Sequence, residues 1–217
     1  MNLHTAIQHH PSRAHLLPAL LPRLDGLEPV VVTDPGGRQK SSWRTYRLCL
    51  ESIPDDATHV LIVQDDCWPC DGFAVHVHAA IEERPTAVIA LFVSGAGHLM
   101  RRVNIARKQR ERWLIFPQTS YIPLVAAIFP ADVARRIPKF ADSRKIPVAR
   151  ADDAVVGTFC RANRISCIAT MPSLVEHLDN EPSVTGMAFG SGAPHRLAAW
   201  YVETPASVTE QAVLASP

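Results

Sequence analysis

Apolar runs and amphipathic stretches alternate along the first half of the chain. Leucine recurs at helical spacing between Leu16 and Leu24, and Pro11 marks the start of the helix that this spacing predicts. Strands that alternate with helices in this way predict a parallel sheet with helices on its faces. The predicted strands are Leu3–Gln8, Pro29–Thr33, Val60–Gln64 and Ala87–Val93, and the predicted helices begin at Pro11 and span Ser41–Ile53 and Phe73–Glu83.

The regular order breaks after the fourth predicted strand. Gly95-Ala96-Gly97 predicts a loop, which leads into a basic stretch at Arg101–Arg112. We expect one α/β domain over residues 1–217, with a Rossmann-like, mixed but mostly parallel central sheet flanked by helices. The remaining predicted elements are a strand within Ser120–Phe129, a helix at Ala131–Ile137, a polar loop at Asp142–Arg150, a helix at Ala154–Ala162 and a strand at Ile165–Thr170.

Composition helps to predict the cellular compartment of the protein but says little about its chemistry. The net charge of +1 points to no class of partner, and the length of 217 residues fits a single domain. Five cysteines form an odd set without an evident extracellular framework, so we expect reduced thiols. The N-terminus lacks the layout of a signal peptide, and no apolar run reaches the roughly 18 residues of a membrane span. These features predict a cytoplasmic protein.

Two adjacent carboxylates follow the third predicted strand, in the sequence Gln64-Asp65-Asp66. Acids at the carboxyl end of a core strand favour a hard divalent cation, Mg²⁺ or Mn²⁺. Adjacent strand residues point to opposite faces, so one carboxylate is expected to bind the ion directly. We assign that role to Asp66 and expect Asp65 to orient a ribose hydroxyl or a water molecule. The alternative is a solvated turn.

Further polar residues with chemical potential come late in the chain. Asp152 and Asp153 precede an apolar helix, where either could cap the helix or act as a general base toward an acceptor hydroxyl. His177 follows the last predicted strand and could complete a metal site with a neutral imidazole, or be structural.

Two other motifs can be explained without a role in catalysis. Cys67 and Cys70 form a CxxC pair, which could be redox-active or half a zinc site but is better explained as packing beside the acidic turn. The basic stretch holds one acid among its cations, and such a patch is either a solvated face or a surface for a polyanion. The cations of interest are Arg101, Arg102, Arg107, Lys108 and Arg110.

In the order of these motifs the chain resembles glycosyltransferases of the GT-A type over roughly residues 2–187. The resemblance implies a nucleotide-binding half at about 1–94, a half for the acceptor and catalysis at about 95–190, and a loose C-terminal tail. It implies that Asp34 meets the nucleotide base and that Asp66 and His177 bind the metal. Gln64 departs from the acidic first position of the family's metal motif.

The resemblance also implies the remaining roles. Asp153, with Asp152 beside it, is implied as the catalytic base of an inverting, hexosyltransferase-like enzyme. The donor is then a nucleoside-diphosphate sugar, with a UDP-sugar favoured. Residues after the first and second strands are implied to bind it: His9 and Arg13, with Lys40 and Trp43 as weaker candidates.

The acceptor is open at this stage. The chain resembles compact phage-type enzymes, including those that glycosylate hydroxymethylated pyrimidines in DNA, and the basic stretch suits a double-stranded DNA acceptor. The host cytoplasm is then the expected location. A protein or glycan acceptor is the alternative. Two other functions compete: a nucleotidyltransferase, which also uses strand-end acids, and a DNA-binding accessory protein built on the basic stretch.

Overall fold

A computed structural model describes residues 1–36, 41–95, 97–116, 122–178 and 197–203. These residues form a seven-stranded mixed sheet with the strand order β2-β1-β3-β7-β5-β8-β6 and a separate two-stranded sheet, β4-β9. The strands are β1 (Leu3–His9), β2 (Val30–Thr33), β3 (His59–Gln64), β4 (Cys67–Pro69), β5 (Val88–Ala90), β6 (Trp113–Ile115), β7 (Ala126–Pro130), β8 (Cys167–Thr170) and β9 (Val175–His177).

Strand direction confirms the α/β class and the mostly parallel sheet. Strand β1 pairs in parallel with both β2 and β3, and β5 pairs in parallel with β8. Strands β7 and β6 run the other way: β7 lies antiparallel between β3 and β5, and β6 pairs antiparallel with β8. The carboxyl ends of β1, β2, β3, β5 and β8 therefore lie along one edge of the sheet.

Helices cover both faces of the sheet, because the central strand β3 is apolar on both sides. Its Val60 and Ile62 belong to one buried cluster, and its Leu61 and Val63 belong to the other. The helices are α1 (Leu17–Leu20, between 3-10 turns Pro11–Leu16 and Leu21–Leu24), α2 (Ser42–Glu51), α3 (Phe73–Glu83), α4 (Gly97–Gln109), α5 (Ala131–Ala134), α6 (Arg136–Ser143) and α7 (Asp152–Ala162).

Three local features differ from the sequence-based expectation. Gly97, predicted to lie in a loop, begins helix α4, which carries the first basic residues of the stretch, and Leu99, Val103 and Ala106 give this helix one buried side. The helix predicted from Ala154 begins at Asp152 and its N-cap is Ala151, so neither acid is the N-cap residue. Each acid does accept from a backbone N–H in the first turn, that of Asp153 or of Ala154. The short strands β4, β6 and β9 were not predicted. None of the described helices is long and apolar enough to cross a membrane.

Candidate functional site

The polar residues singled out above gather at the carboxyl edge of the sheet. Strands β1, β2 and β3 deliver His9, Asp34 and the Asp65-Asp66 pair to this edge, respectively. Backbone hydrogen bonds fix the ends together: Asp34 N donates to His9 O over 2.8 Å, and Asp65 N donates to Gln8 O over 3.1 Å. Ligand sites in open α/β sheets occur at such edges.

Both carboxylates of the acid pair are buried and face the same guanidinium. Nη1 of Arg13 lies 3.0 Å from Oδ1 of Asp65 and 2.7 Å from Oδ2 of Asp66. The expectation that the two side chains point to opposite faces was wrong, because β3 ends at Gln64 and the pair lies in the following turn. The solvated-turn alternative is also wrong, since each acid is 2% exposed.

Asp65 is held by several donors within the protein. Its Oδ2 accepts from the backbone N of His10 over 2.7 Å and lies 3.0 Å from Nδ1 of His9. Burial and the adjacent charge of Asp66 raise the pKa of Asp65, against the opposing effect of the His10 N–H and of Arg13. With both oxygens engaged, Asp65 acts as an anchor for His9, His10 and Arg13, and its predicted ribose contact has no support in this geometry.

Asp66 and His177 meet through the small second sheet. The register of β4 and β9 places Cys67 opposite His177, and Leu178 N donates to Asp66 O over 2.8 Å. As a result, Nε2 of His177 lies 3.3 Å from Oδ2 of Asp66. Phe92, after β5, packs against the imidazole with 6.3 Å between ring centroids.

This pair of donors fits two positions in the coordination shell of a divalent cation. Ligands at right angles, each about 2.1 Å from one ion, lie about 3 Å apart, close to the observed spacing of Asp66 and His177. The carboxylate oxygen suits Mg²⁺ or Mn²⁺, and the imidazole nitrogen is a common ligand of first-row transition metals. The described residues hold no cluster of three or more His, Cys, Asp or Glu side chains that could bind a metal. Substrate oxygens and water are candidates for the other positions.

Asp34 is paired with an arginine that the sequence did not single out. Its carboxylate accepts from Nε of Arg44 over 2.9 Å and from Nη2 over 3.0 Å, and also from Gly36 N over 2.9 Å. Although burial opposes the shift, these donors hold the pKa of Asp34 below its usual value. A planar Asp-Arg pair beside β2 offers hydrogen-bonding edges to a nucleoside.

Of the two weaker candidates for nucleotide binding, the structure excludes Trp43 and does not describe Lys40. Trp43 is 2% exposed and packs in the core beneath α2, so its indole does not face the site. This is a correction to its assignment as a nucleotide contact. Lys40 lies outside the described residues.

The two acids that open α7 differ in burial. Asp152 is 5% exposed, and its carboxylate accepts from Nε2 of Gln8 over 3.2 Å and from Oγ of Ser42 over 3.0 Å. Asp153 is only partly buried. Burial, with the charge of Asp152, raises the pKa of Asp153 to about 6. A carboxyl group with that pKa suits a general base near neutral pH.

Two glutamines connect α7 to the acidic turn. Gln64 Nε2 lies 3.4 Å from Oε1 of Gln8, whose own amide donates to Asp152 and, over 2.9 Å, to the backbone O of Ser42. Gln64, at the first position of the acidic motif, thus faces Gln8. The sequence did not single out Gln8 or Arg44. In the sequence, Gln8 is only a polar residue at a strand end, and Arg44 is only a cation near the start of α2.

The first part of the basic stretch, up to Gln109, lies on the exposed side of α4, and Arg110 follows the end of this helix. Arg101, Arg102, Arg107, Lys108 and Arg110 are all exposed. Two of them have local partners: Arg102 Nη1 donates to Ile115 O over 3.0 Å, and the Arg107 guanidinium lies 5.7 Å from the Trp200 ring centroid. The stretch therefore presents a cationic face, which is compatible both with a solvated helix and with a polyanion.

The CxxC pair is buried in one of the two apolar clusters. Cys67 and Cys70 are 1% and 2% exposed, and burial raises the pKa of both thiols, to about 12 for Cys70. Thiols of this kind stay protonated and unreactive. The interpretation of the pair as packing is confirmed.

Comparison with known proteins yields distant structural likenesses. No family model matches the chain, and no curated protein shows a significant sequence match. The protein A197 from STIV has 13% identity and a TM-score of 0.48, covering 82% of this chain and 85% of its own. The galactosyltransferase LgtC, crystallised with donor and acceptor sugar analogues, has 13% identity and a TM-score of 0.41, with 73% and 70% covered.

Proposed function

We propose that the protein is a glycosyltransferase that moves a sugar from a nucleoside-diphosphate sugar, with a UDP-sugar favoured, to a hydroxyl acceptor. The observation that carries the proposal is the placement of two different groups at the same edge of the sheet. One is the Asp66–His177 pair, whose donor atoms lie 3.3 Å apart. The other is Asp153, with a pKa near 6, at the start of a helix tied to β1 through Gln8 and Asp152.

Each group suits one part of the reaction. Asp66 and His177 would hold Mn²⁺ or Mg²⁺. Such a bound ion neutralises charge on a departing diphosphate. Asp153 would take the proton from the acceptor hydroxyl as that oxygen attacks the anomeric carbon. Asp34 and Arg44 would bind the nucleoside, with His9 and Arg13 nearer the diphosphate.

The stereochemistry follows from the position of the base. An Asp that deprotonates the acceptor directly leads to one displacement at the anomeric carbon, and therefore to inversion. Asp152, fixed by Gln8 and Ser42, would keep Asp153 in place and, through its charge, keep the pKa of Asp153 high. We assign Asp152 a positioning role.

Double-stranded DNA is the acceptor we favour, on the basis of α4. Its exposed cations could neutralise backbone phosphates, which supply much of the affinity of DNA-binding proteins. The acceptor hydroxyl would then belong to a hydroxymethylated pyrimidine. A protein or glycan acceptor would not need this face.

The test is a panel of nucleotide sugars with Mn²⁺ or Mg²⁺, offered with and without modified duplex DNA or oligosaccharide acceptors. We expect release of a nucleoside diphosphate and a heavier acceptor by mass spectrometry. Pyrophosphate as the product would indicate a nucleotidyltransferase instead. DNA binding without any binding of nucleotide sugars would indicate an accessory protein.

A further inference from the structure

Arg13 occupies the position between the two carboxylates of the acidic turn. One nitrogen, Nη1, reaches both Asp65 and Asp66, at 3.0 and 2.7 Å. The guanidinium is nearly as buried as the acids, with Arg13 6% exposed. A buried acid pair needs a counter-charge, and here the chain supplies one of its own.

The same carboxylate oxygen serves both Arg13 and the candidate metal pair. Oδ2 of Asp66 lies 2.7 Å from Nη1 of Arg13 and 3.3 Å from Nε2 of His177. A divalent cation held by Asp66 and His177 would therefore share an oxygen with the guanidinium. The two cations would repel each other at short range in a poorly solvated site, where such repulsion is strong.

We infer that Arg13 makes the binding of the divalent cation and of the donor diphosphate depend on each other. The inference rests on the proposed function. With no diphosphate present, Arg13 competes with the cation for Asp66. A diphosphate offers the guanidinium other anionic oxygens, so that Arg13 can release Asp66 while the cation binds to Asp66 and His177.

The backbone at Arg13 is not part of a regular helix. Arg13 lies within the 3-10 turn Pro11–Leu16, at a residue with non-helical φ and ψ values of −110° and 18°. This turn starts directly after β1, at the carboxyl edge where the diphosphate is expected. Asp65 keeps its contacts with His9 and His10 N whichever partner the guanidinium takes, so the turn remains anchored.

Coupling between two ligands is reciprocal, so it can be measured from either side. The dissociation constant for Mn²⁺ would be measured by calorimetry on the full chain, with and without saturating UDP, and that for UDP with and without Mn²⁺. We expect UDP to tighten Mn²⁺ binding on the order of tenfold or more in the wild type, a typical size for coupling between sites.

Removal of the charge should weaken the coupling between the two ligands. In Arg13→Gln we expect Mn²⁺ to bind more tightly than in the wild type when UDP is absent. The effect of UDP on Mn²⁺ should then fall below its wild-type size, to the part that direct contact of diphosphate oxygens with the ion supplies. Arg13→Lys keeps the charge and should keep the coupling, which provides a second variant if Arg13→Gln folds poorly. Arg47→Gln is the matched control, since Arg47 pairs with Glu51 and Asp142 away from the acidic turn and is expected to leave the coupling unchanged.

The outcomes separate this inference from the proposed function. If wild type binds UDP and Mn²⁺ and Arg13→Gln retains the full coupling, the role of Arg13 is wrong and the transferase proposal stands. Weaker Mn²⁺ binding in Arg13→Gln without UDP would also overturn it. If neither the wild type nor any variant binds UDP, UDP-sugars or other nucleoside diphosphates, the proposed function fails and takes the inference with it.

Discussion

Oδ2 of Asp66 lies 3.3 Å from Nε2 of His177, although the two residues are far apart in the chain. The pairing of β4 with β9 enforces this contact, because Asp66 directly precedes β4 and His177 ends β9. A carboxylate and an imidazole that are brought together at a ligand-binding edge can form part of a metal site. The proposed enzyme depends on this relationship.

We expect Asp66→Asn to abolish the response of the protein to divalent cations. An amide oxygen is a weaker ligand than a carboxylate, although the side chain has nearly the same size. The measurement is the Mn²⁺-dependent rise in melting temperature with UDP present, since a ligand of the folded state stabilises it. Asp71→Asn is the control, because Asp71 lies close by in the chain but is exposed. An unchanged rise in Asp66→Asn would contradict the assignment.

Replacement of the proposed base, Asp153, should lower the rate of catalysis while it raises the stability of the folded state. The pKa of Asp153 is raised to about 6, so the folded state holds its proton more tightly than the unfolded state does. The stabilisation from that proton is present at low pH and is lost as pH rises from about 4 to about 6. We therefore expect Asp153→Asn to be more stable than wild type at pH 7, by up to roughly 3 kcal/mol. Urea unfolding at pH 4 and pH 7 tests this, and a stability gain that is equal at both values would argue against it.

The same pKa sets the expected pH profile of transfer. A base must be deprotonated to accept a proton, so the rate in the wild type should rise with pH through about 6 and then level. Asp153→Asn should lose at least a hundredfold in rate, within the range attributed to general bases, and should keep its affinity for the nucleotide. Measurement of kcat and donor binding separately checks this. A variant with normal kcat would remove Asp153 from the mechanism.

Gln8 is expected to matter for turnover although it is not proposed to touch substrate. Its amide donates to the buried Asp152, and loss of that donor would leave a buried carboxylate less well satisfied. Gln8→Ala should lose about 1–3 kcal/mol of stability and should lower kcat more than it weakens donor binding. Ser42→Ala removes the other side-chain donor to Asp152 and should act in the same direction. Full activity in both variants would contradict a positioning role for Asp152.

The exposed face of α4 should govern binding to DNA if DNA is the acceptor. The double variant Arg101→Gln, Lys108→Gln should weaken duplex binding and lower the slope of log K against log salt by up to about 2, near 0.9 for each lost phosphate contact. The control, Lys139→Gln with Arg144→Gln, removes two exposed cations from another helix region. Equal salt slopes for the two pairs of substitutions would remove α4 from the acceptor site.

Much of the fold could be predicted from local pattern. The strands β1, β2 and β3 and the helix α3 were predicted because their apolar residues follow a clear period. The strands β4, β6 and β9 were missed because each has three residues and depends on pairing with a strand that is distant in the chain. The helix α4 was interpreted only as a basic stretch, since Leu99, Val103 and Ala106 form too sparse an apolar face to stand out.

The candidate site was predictable as a set of residues and not as a set of contacts. Asp34, Asp66, Asp153 and His177 stand out because polar groups follow strands or open a helix. The roles of Arg13 and Arg44 as partners of acids depend on tertiary contacts that no spacing reveals. Trp43 was misassigned because an aromatic residue after a loop has the same sequence signal whether it faces a ligand or the core.

The most direct test is the release of UDP from UDP-sugars by the wild type and by Asp153→Asn, with Mn²⁺ and an acceptor present. The proposed function predicts UDP release and transfer of the sugar in the wild type, with both reduced at least a hundredfold in a variant that still binds UDP. Binding of nucleotide sugars by both proteins with no turnover by either, or equal turnover by both, would contradict it.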